Sequence, residues 1–203
     1  MPSSFSRFAV DSDLDGKIDI WTNTEDTLAS IANLLNKNGW VKDLDWGQEV
    51  ITEQDFPCFL EGPDNSKKSS SWYESGVRKI KKGQSISFSK NTKTSLLLPK
   101  GEYGPKFLVT KNYYTLKTYN NSDLYALYVA HLSDLIDGKV QKFIAPWKYS
   151  SLIDKKSIFS LQKKLMKSGY DVGGYDGLIG HKTRRSLGLW QKKIGQKITC
   201  FPD

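Results

Sequence analysis

Asp11, Asp13 and Asp15 alternate with non-acidic residues, Gly16 follows them, and Lys17, Ile18 and Asp19 come next. Carboxylates at the first, third and fifth positions of a short loop can converge on one hard cation, provided the chain turns sharply after them. Gly16 permits that turn because it tolerates positive φ. Lys17 would contribute its backbone carbonyl and Asp19 would act through a water. Ile18 would point inward and anchor the loop. The twelfth position, where an EF-hand loop has a bidentate Glu, is Thr22, which cannot do that job. The remaining carboxylate must come from Glu25 or Asp26, at the start of the next helix. The expected ligand set is Asp11, Asp13, Asp15, Lys17 and Asp26, holding a structural Ca2+. A solvated acidic turn is the bland alternative, and spacing, glycine and the aliphatic Ile18 argue against it.

Few other residues offer chemistry. With two histidines in 203 residues, a His-based metal or nucleophile site is not expected, and His131 reads as a packed helix residue. Cys58 and Cys200 lack metal-ligand spacing and suggest either nothing or one long-range disulfide. The string YNNS at 119–122 places aromatic and amide groups on a turn before a helix. In the last fifty residues, Tyr170, Asp171, Tyr175, Asp176, Arg184 and Trp190 could serve a binding surface. For Trp190 the core is the default, and for Arg184 a solvated helix face.

The net charge of +8 hides a segregation. Residues 1–62 carry four Lys/Arg against twelve Asp/Glu, residues 63–150 fifteen against six, and residues 151–203 eleven against four. A divalent ion would offset part of the acidic first third. The basic remainder suits an anionic polymer or surface. No nucleic-acid motif is present, so nucleic acid ranks last among such partners. No apolar run approaches membrane-spanning length, and no basic-then-apolar leader is visible.

The elements that must position these residues follow from period and punctuation. Met1 to Arg7 reads as turn-like. A helix capped by Thr22 or Thr24 runs to about Asn38 and stops at Gly39, with Leu28, Ile31, Ala32 and Leu35 as one buried stripe. Trp40 and Trp46 are expected to pack over it. Asp64 to Ser71 reads as an exposed loop. Ser85–Phe88, Ser95–Leu98 and Lys106–Thr110 are strand candidates, forming a small β region between helical parts. A helix from about Asp123 to Ile136 follows. Gly138 to Ser151 reads as a linker, and beyond it lie a helix over Ser157–Ser168, a glycine-rich loop and a helix over His181–Ile194. The strings LQKKLMKSG and WQKKIG suggest a pseudo-repeated three-helix module.

Three stretches together carry a resemblance. MPSSFSRFAVDSDLDGKIDIW with DTLASIANLL and NGW, and then GPKFLVTKNYYTLKTYNNSDLYALYVAHLSD, resemble the lytic murein transglycosylase B family. LQKKLMKSGYDVGGYDGLIGHKTRRSLGLWQKKIG is similar to the small peptidoglycan-binding domain of bacterial wall enzymes. The resemblance implies an α+β, mainly helical chain. Residues 1–145 would form the C-terminal part of a lysozyme-like catalytic domain with an EF-hand-like loop. Residues 151–203 would form a three-helix peptidoglycan-binding domain. It also implies that the family's catalytic glutamate belongs to an ES-x-FG segment upstream of the QFMPSS motif whose end matches Met1–Ser4. On that reading no catalytic residue is expected here, and the chain alone should be inactive, poorly stable and apolar along its groove.

By the same resemblance, Tyr119, Asn120 and Tyr125 line a sugar-binding cleft. A structural role for Tyr125 and Asn120 is equally open, and Leu34 stands where the family usually has a tyrosine. The implied activity is non-hydrolytic cleavage of the bond between N-acetylmuramic acid and N-acetylglucosamine, leaving 1,6-anhydro ends. The implied partner is the peptidoglycan glycan strand, met by a monomer in a Gram-negative periplasm. A non-catalytic peptidoglycan-binding protein is the alternative.

Overall fold

In a computed structural model, residues 2–80, 89–139, 142–148 and 153–202 are described. The strand candidate at Ser85–Phe88 lies outside them, as do residues 140–141 and 149–151 of the expected linker. Seven helices and five strands order the described residues, an α+β arrangement dominated by helix. The first is α1 (Pro2–Phe8), at a stretch whose sequence suggests a turn. It opens on Pro2, whose missing N–H costs a first helical turn nothing, and its seven residues are too few to show an apolar period. Next comes α2 (Thr24–Lys37). Its cap is Asn23 rather than either threonine, with Asn23 Oδ1 accepting from the N–H groups of Glu25 and Asp26.

The sheet comprises β1 (Gly47–Thr52), β2 (Lys67–Lys68), β3 (Val77–Lys79), β4 (Lys93–Leu97) and β5 (Lys106–Val109). The order is β2-β4-β5-β1-β3, with every neighbouring pair antiparallel. Among the described residues both edges, β2 and β3, are too short to template pairing with another chain. The sheet is buried on both faces, which explains the unbroken apolar runs SLLL and FLV. Leu96 pairs with Leu108, and both enter one core with Val50, Phe56, Trp72 and Val77. Leu97 pairs with Phe107, and both enter the other with Trp46, Val109, Tyr113, Ala126, Leu127 and Ala130. The register is thus fixed by two faces at once.

Between the strands, the segment read as a loop at Asp64–Ser71 is ordered. A 3-10 turn over Pro63–Asn65 leads into β2 and then α3 (Ser69–Glu74). The helix seats Trp72 in the core, where its indole N–H donates to the Thr94 carbonyl at 3.1 Å. Directly after β5 comes α4 (Lys111–Tyr119), which the strand pattern ending at Thr110 obscures. Thr110 caps it by accepting from the Asn112 N–H. It packs on α5 (Asp123–Ile136), the helix that carries His131 stacked on Phe143.

The expected stripe of α2 does not hold. Leu28 is 63% exposed and Ile31 47% exposed, while the buried positions are Asp26 and Ser30. The polar side of α2 receives the preceding chain instead: Val10 N–H donates to Ser30 Oγ, and Asn33 Nδ2 donates to the Phe8 carbonyl. Helical spacing says which residues share a face and not which face is covered. Of the two tryptophans expected to pack over α2, Trp46 is buried against Phe107 and Tyr113 instead, and Trp40 is exposed.

Among its described residues the C-terminal segment supplies two helices where three are expected, α6 (Lys155–Lys167) and α7 (His181–Lys193), joined by the glycine-rich loop around a core of Leu165, Val172 and Leu187. Asp154 caps α6 through the Ser157 N–H. This segment is bolted to the sheet. Helix α7 packs on the 3-10 turn Cys58–Leu60, and Cys58 and Cys200 form a disulfide. Gln191 Oε1 accepts from the N–H groups of both Thr199 and Cys200, which fixes the tail that carries the second cysteine.

Candidate glycan corner and cation loop

The loop before α2 is built from Asx-type turns. Asp13 Oδ1 accepts from the Asp15 N–H, Asp15 Oδ1 from the Lys17 N–H, and Asp11 Oδ2 from the Gly16 N–H. Gly16 sits at φ 85° and Leu14 at φ 63°, so the chain makes its sharp turn twice. Asp26, fully buried, reaches back from α2 and accepts from the Ser12 N–H at 2.7 Å and the Asp19 N–H at 2.8 Å. Loop and helix therefore share one carboxylate as their hinge.

Of the five expected ligands, the structure brings Asp11, Asp13 and Asp26 together, with ligand oxygens within 4.8 Å of one another. Asp15 is exposed on the same loop and outside that group of carboxylates, and Lys17, expected through its backbone carbonyl, is exposed beside it. Asp26 takes the place left open between it and Glu25. Ile18, expected inside, is 41% exposed, because Asp26 rather than an aliphatic anchor ties down the loop. The fit to a hard cation rests on one atom. Asp11 Oδ1 is buried with no hydrogen-bond partner and faces two more carboxylates, an arrangement that a divalent ion would satisfy. The Asn23 side-chain amide donates to Asp13 Oδ2 at 2.6 Å, and with the Asp15 N–H it holds that carboxyl below its usual range.

The second constellation stands where α4 meets α5. Tyr119 ends α4 and Tyr125 lies in the first turn of α5; their rings stack at 6.0 Å and 22°, both exposed. Asn120 caps the end of α4, its Oδ1 accepting from the Ser122 N–H. The three residues expected to line a cleft thus share one exposed corner. Rings of this kind stack on sugar faces, and an amide both donates to and accepts from N-acetyl and hydroxyl groups. Apolar side chains continue from the corner along α5, with Leu124, Tyr128, Leu132 and Leu135 exposed.

Behind the corner lies a cluster that residue spacing could not reveal. Arg184 of α7 is 1% exposed and Glu61 0% exposed. Arg184 Nε and Nη2 donate to Glu61 Oε1 and Oε2 at 2.6 and 3.1 Å, and Nη2 also donates to Asp123 Oδ2 at 2.9 Å. Lys117 Nζ meets Asp123 Oδ1 at 2.5 Å. Burial works against charge on Asp123, yet Arg184 and Lys117 outweigh it and hold the carboxyl below its usual range. On Glu61, burial pushes the carboxyl up. Two charge-assisted hydrogen bonds and the Leu98 N–H, at 3.0 Å, are arranged to favour its ionised form. Arg184 is therefore not the solvated wall-binding candidate it looks like in sequence. Asp171, Tyr175 and Asp176 do reach the surface of the C-terminal segment, while Tyr170 and Trp190 pack partly buried against its core.

Next to this cluster, burial and the Arg184 charge push the His181 imidazole down to about 4. Its Nε2 is buried without a hydrogen-bond partner.

Comparison with known proteins covers most of the chain. Residues 1–134 match the family described as Transglycosylase SLT domain. Over 139 residues, 67% of this chain and 36% of the relative, the sequence is 30% identical to the membrane-bound lytic murein transglycosylase B of Escherichia coli (strain K12). SltB3 from Pseudomonas aeruginosa, solved in complex with NAG-anhNAM-pentapeptide, superposes with a TM-score of 0.87 at 35% identity, over 99% of this chain and 54% of that one. The Escherichia coli lytic transglycosylase Slt35 in complex with calcium superposes with a TM-score of 0.51 at 26% identity, over 70% of this chain and 43% of that one. The chain spans about half the length of SltB3, and its C-terminal segment has a counterpart there.

Proposed function

This chain belongs to the family of transglycosylase SLT domains, and from that premise we propose that it grips the glycan strand of peptidoglycan for a lytic transglycosylase. The observation that carries the reading is the likeness to SltB3 across 99% of the chain, a protein solved with muropeptides bound. Tyr119, Asn120 and Tyr125 hold the sugar faces and N-acetyl groups at the α4–α5 corner. Asp11, Asp13 and Asp26, with Asp15 and the Lys17 carbonyl completing the shell, take a structural Ca2+. That ion neutralises the acidic loop and fixes it to α2. The C-terminal segment holds the chain to its polymer as a peptidoglycan-binding domain, presenting Asp171, Tyr175 and Asp176. A disulfide between Cys58 and Cys200 suits an oxidising compartment, in keeping with a Gram-negative periplasm.

The reaction of such an enzyme breaks the bond from C1 of N-acetylmuramic acid to the oxygen of the next N-acetylglucosamine. A carboxylic acid gives its proton to that leaving oxygen. The same group, now a carboxylate, takes the proton of the muramic 6-hydroxyl as its oxygen bonds to C1 and closes the 1,6-anhydro ring. One carboxyl serves both steps, unlike the paired carboxyls of most glycosidases.

Several glutamates of this chain are committed elsewhere. Glu61 is locked to Arg184, Glu49 accepts from the N–H groups of Ile144 and Ala145, Glu53 pairs with Arg78, and Glu102 pairs with Lys106. Glu25 and Glu74 are exposed, without the burial that keeps a carboxyl protonated near neutral pH. This pattern favours a second reading, a peptidoglycan-binding chain that does no chemistry by itself. Incubation with purified murein followed by mass spectrometry of the released muropeptides decides between them. Anhydro-muramic ends signify cleavage; co-sedimentation with murein and no such ends signifies binding alone. Failure to sediment with murein at all removes both readings.

A further inference from the structure

Asp123 is the first residue of α5 and joins the two helices of the tyrosine corner. Lys117, in the last turn of α4 and two residues before Tyr119, donates to one of its carboxylate oxygens. The Tyr113 hydroxyl, also from α4, donates to its carbonyl at 3.2 Å. On the α5 side, Ser122 caps the helix through the Tyr125 N–H while its own N–H is held by Asn120. The bend that brings Tyr119 against Tyr125 is therefore set around one carboxylate. The other oxygen of that carboxylate is held by Arg184, sixty-one residues away on α7.

Arg184 has no freedom to follow the corner. Its guanidinium is fixed by two bonds to Glu61 and by donation from Nη1 to the Ile179 carbonyl at 2.9 Å. Glu61 is in turn tied to the sheet through the Leu98 N–H. The chain of contacts runs from the end of β4 through Glu61 and Arg184 to Asp123, with side chains 0%, 1% and 11% exposed. In so dry a setting the bonds are strong and their directions fixed, and a planar fork serves two carboxylates at once as an ammonium cannot.

We infer that Arg184 is a positioning residue for glycan binding: the last helix of the chain sets the geometry of the Tyr119–Asn120–Tyr125 corner through Asp123. The C-terminal segment is then part of the groove's scaffold as well as a tether. The inference rests on reading that corner as the glycan site, and its test separates the two.

Three variants are compared with the parent chain: Asp123→Asn, which cuts the link and leaves Arg184 paired with Glu61; Arg184→Met with Glu61→Gln, which cuts it from the other end without stranding a buried carboxylate; and Tyr119→Ala. Affinity for NAG-anhNAM-pentapeptide is measured by calorimetry, and the stacking of Tyr119 on Tyr125 by NMR of ring-labelled tyrosine, alongside the melting curve. The expected result is a folded Asp123→Asn variant whose affinity is weakened about tenfold and whose two rings no longer stack, and the same in the double variant. If the double variant does not fold, Asp123→Asn decides alone. Preserved stacking and unchanged affinity in Asp123→Asn, with Tyr119→Ala weakened, overturns the positioning role and leaves the glycan corner standing. Unchanged affinity in Tyr119→Ala overturns the glycan corner instead, and with it the role of Arg184 in binding.

Discussion

Arg184 and Glu61 lie 123 positions apart and close a two-pronged ion pair with no access to water, at 2.6 and 3.1 Å. Two such charges gain little over well-packed apolar groups, because each was costly to remove from water; losing one partner is a different matter. Arg184→Met alone strands Glu61 and should destabilise the chain by roughly 3–5 kcal/mol. Adding Glu61→Leu should recover much of that loss. Urea unfolding of the single and double variants reads the difference, and equal losses in both would show that the pair is not coupled.

His181 beside this cluster makes stability depend on pH. Its imidazole titrates near 4 in the folded chain against 6.5 for the free group, because burial and the Arg184 charge disfavour the imidazolium. As pH falls below about 6.5 the unfolded chain takes up the proton first, so folding is progressively disfavoured until the native imidazole titrates near 4. Above 6.5 the contribution is complete and flat. The loss across the window should be on the order of 2 kcal/mol, reduced from the full linkage value by the solvent the ring still meets. Denaturant midpoints of the parent and His181→Gln, followed from about pH 7.5 to 4, should converge as pH falls. Parallel curves would show that the ring is not held neutral.

The disulfide fastens the tail where α7 crosses the turn at Cys58. Reduction, or replacement of both cysteines by alanine, should cost about 2–5 kcal/mol, visible as a lower melting temperature. Gly188 reports on the same junction. A Cβ there would overlap Cys200 Sγ, so Gly188→Ala must displace the bridge or the helix. A destabilisation of about 1–3 kcal/mol is expected, as for other overpacked sites. An unchanged melt in Gly188→Ala would mean that α7 does not press on the bridge.

Much of this fold is legible in the sequence, and the limits have physical causes. The runs ending in Leu97 and Val109 announce strands because both faces of the sheet are buried. The helices after Ser122 and Asp154 announce themselves by period, though the Asp154 cap starts the second at Lys155, two residues before the expected Ser157. The acidic loop is readable because its aspartates sit on a local turn. Helix α4 is not, since Lys111–Tyr119 mixes polar and aromatic residues without a stripe and its cap, Thr110, closes a strand-like run. The apolar stripe of α2 misleads because Asp26, Ser30 and Asn33 bind backbone on the polar side. No local pattern could place Arg184 against Glu61 and Asp123, because that contact exists only once α7 has docked on the sheet.

Asp13 and Asp26 should separate the two jobs of the acidic loop. Asp13 is at the surface, held by Asn23, and its value to the fold would come through a bound cation. Asp26 is buried and carries the Ser12 and Asp19 N–H groups whether or not a cation is present. With calcium, the parent chain should melt higher than with chelator. Asp13→Ala should melt at the chelated parent's temperature in either buffer. Asp26→Ala should fall below both, because two backbone donors lose their acceptor, by about 1–3 kcal/mol beyond the loss of the ion. A parent melt indifferent to chelator at millimolar calcium would remove the ion from the account and leave Asp26 as a purely structural clasp. If Asp26→Ala matched Asp13→Ala, the clasp would fall and the ion alone would order the loop.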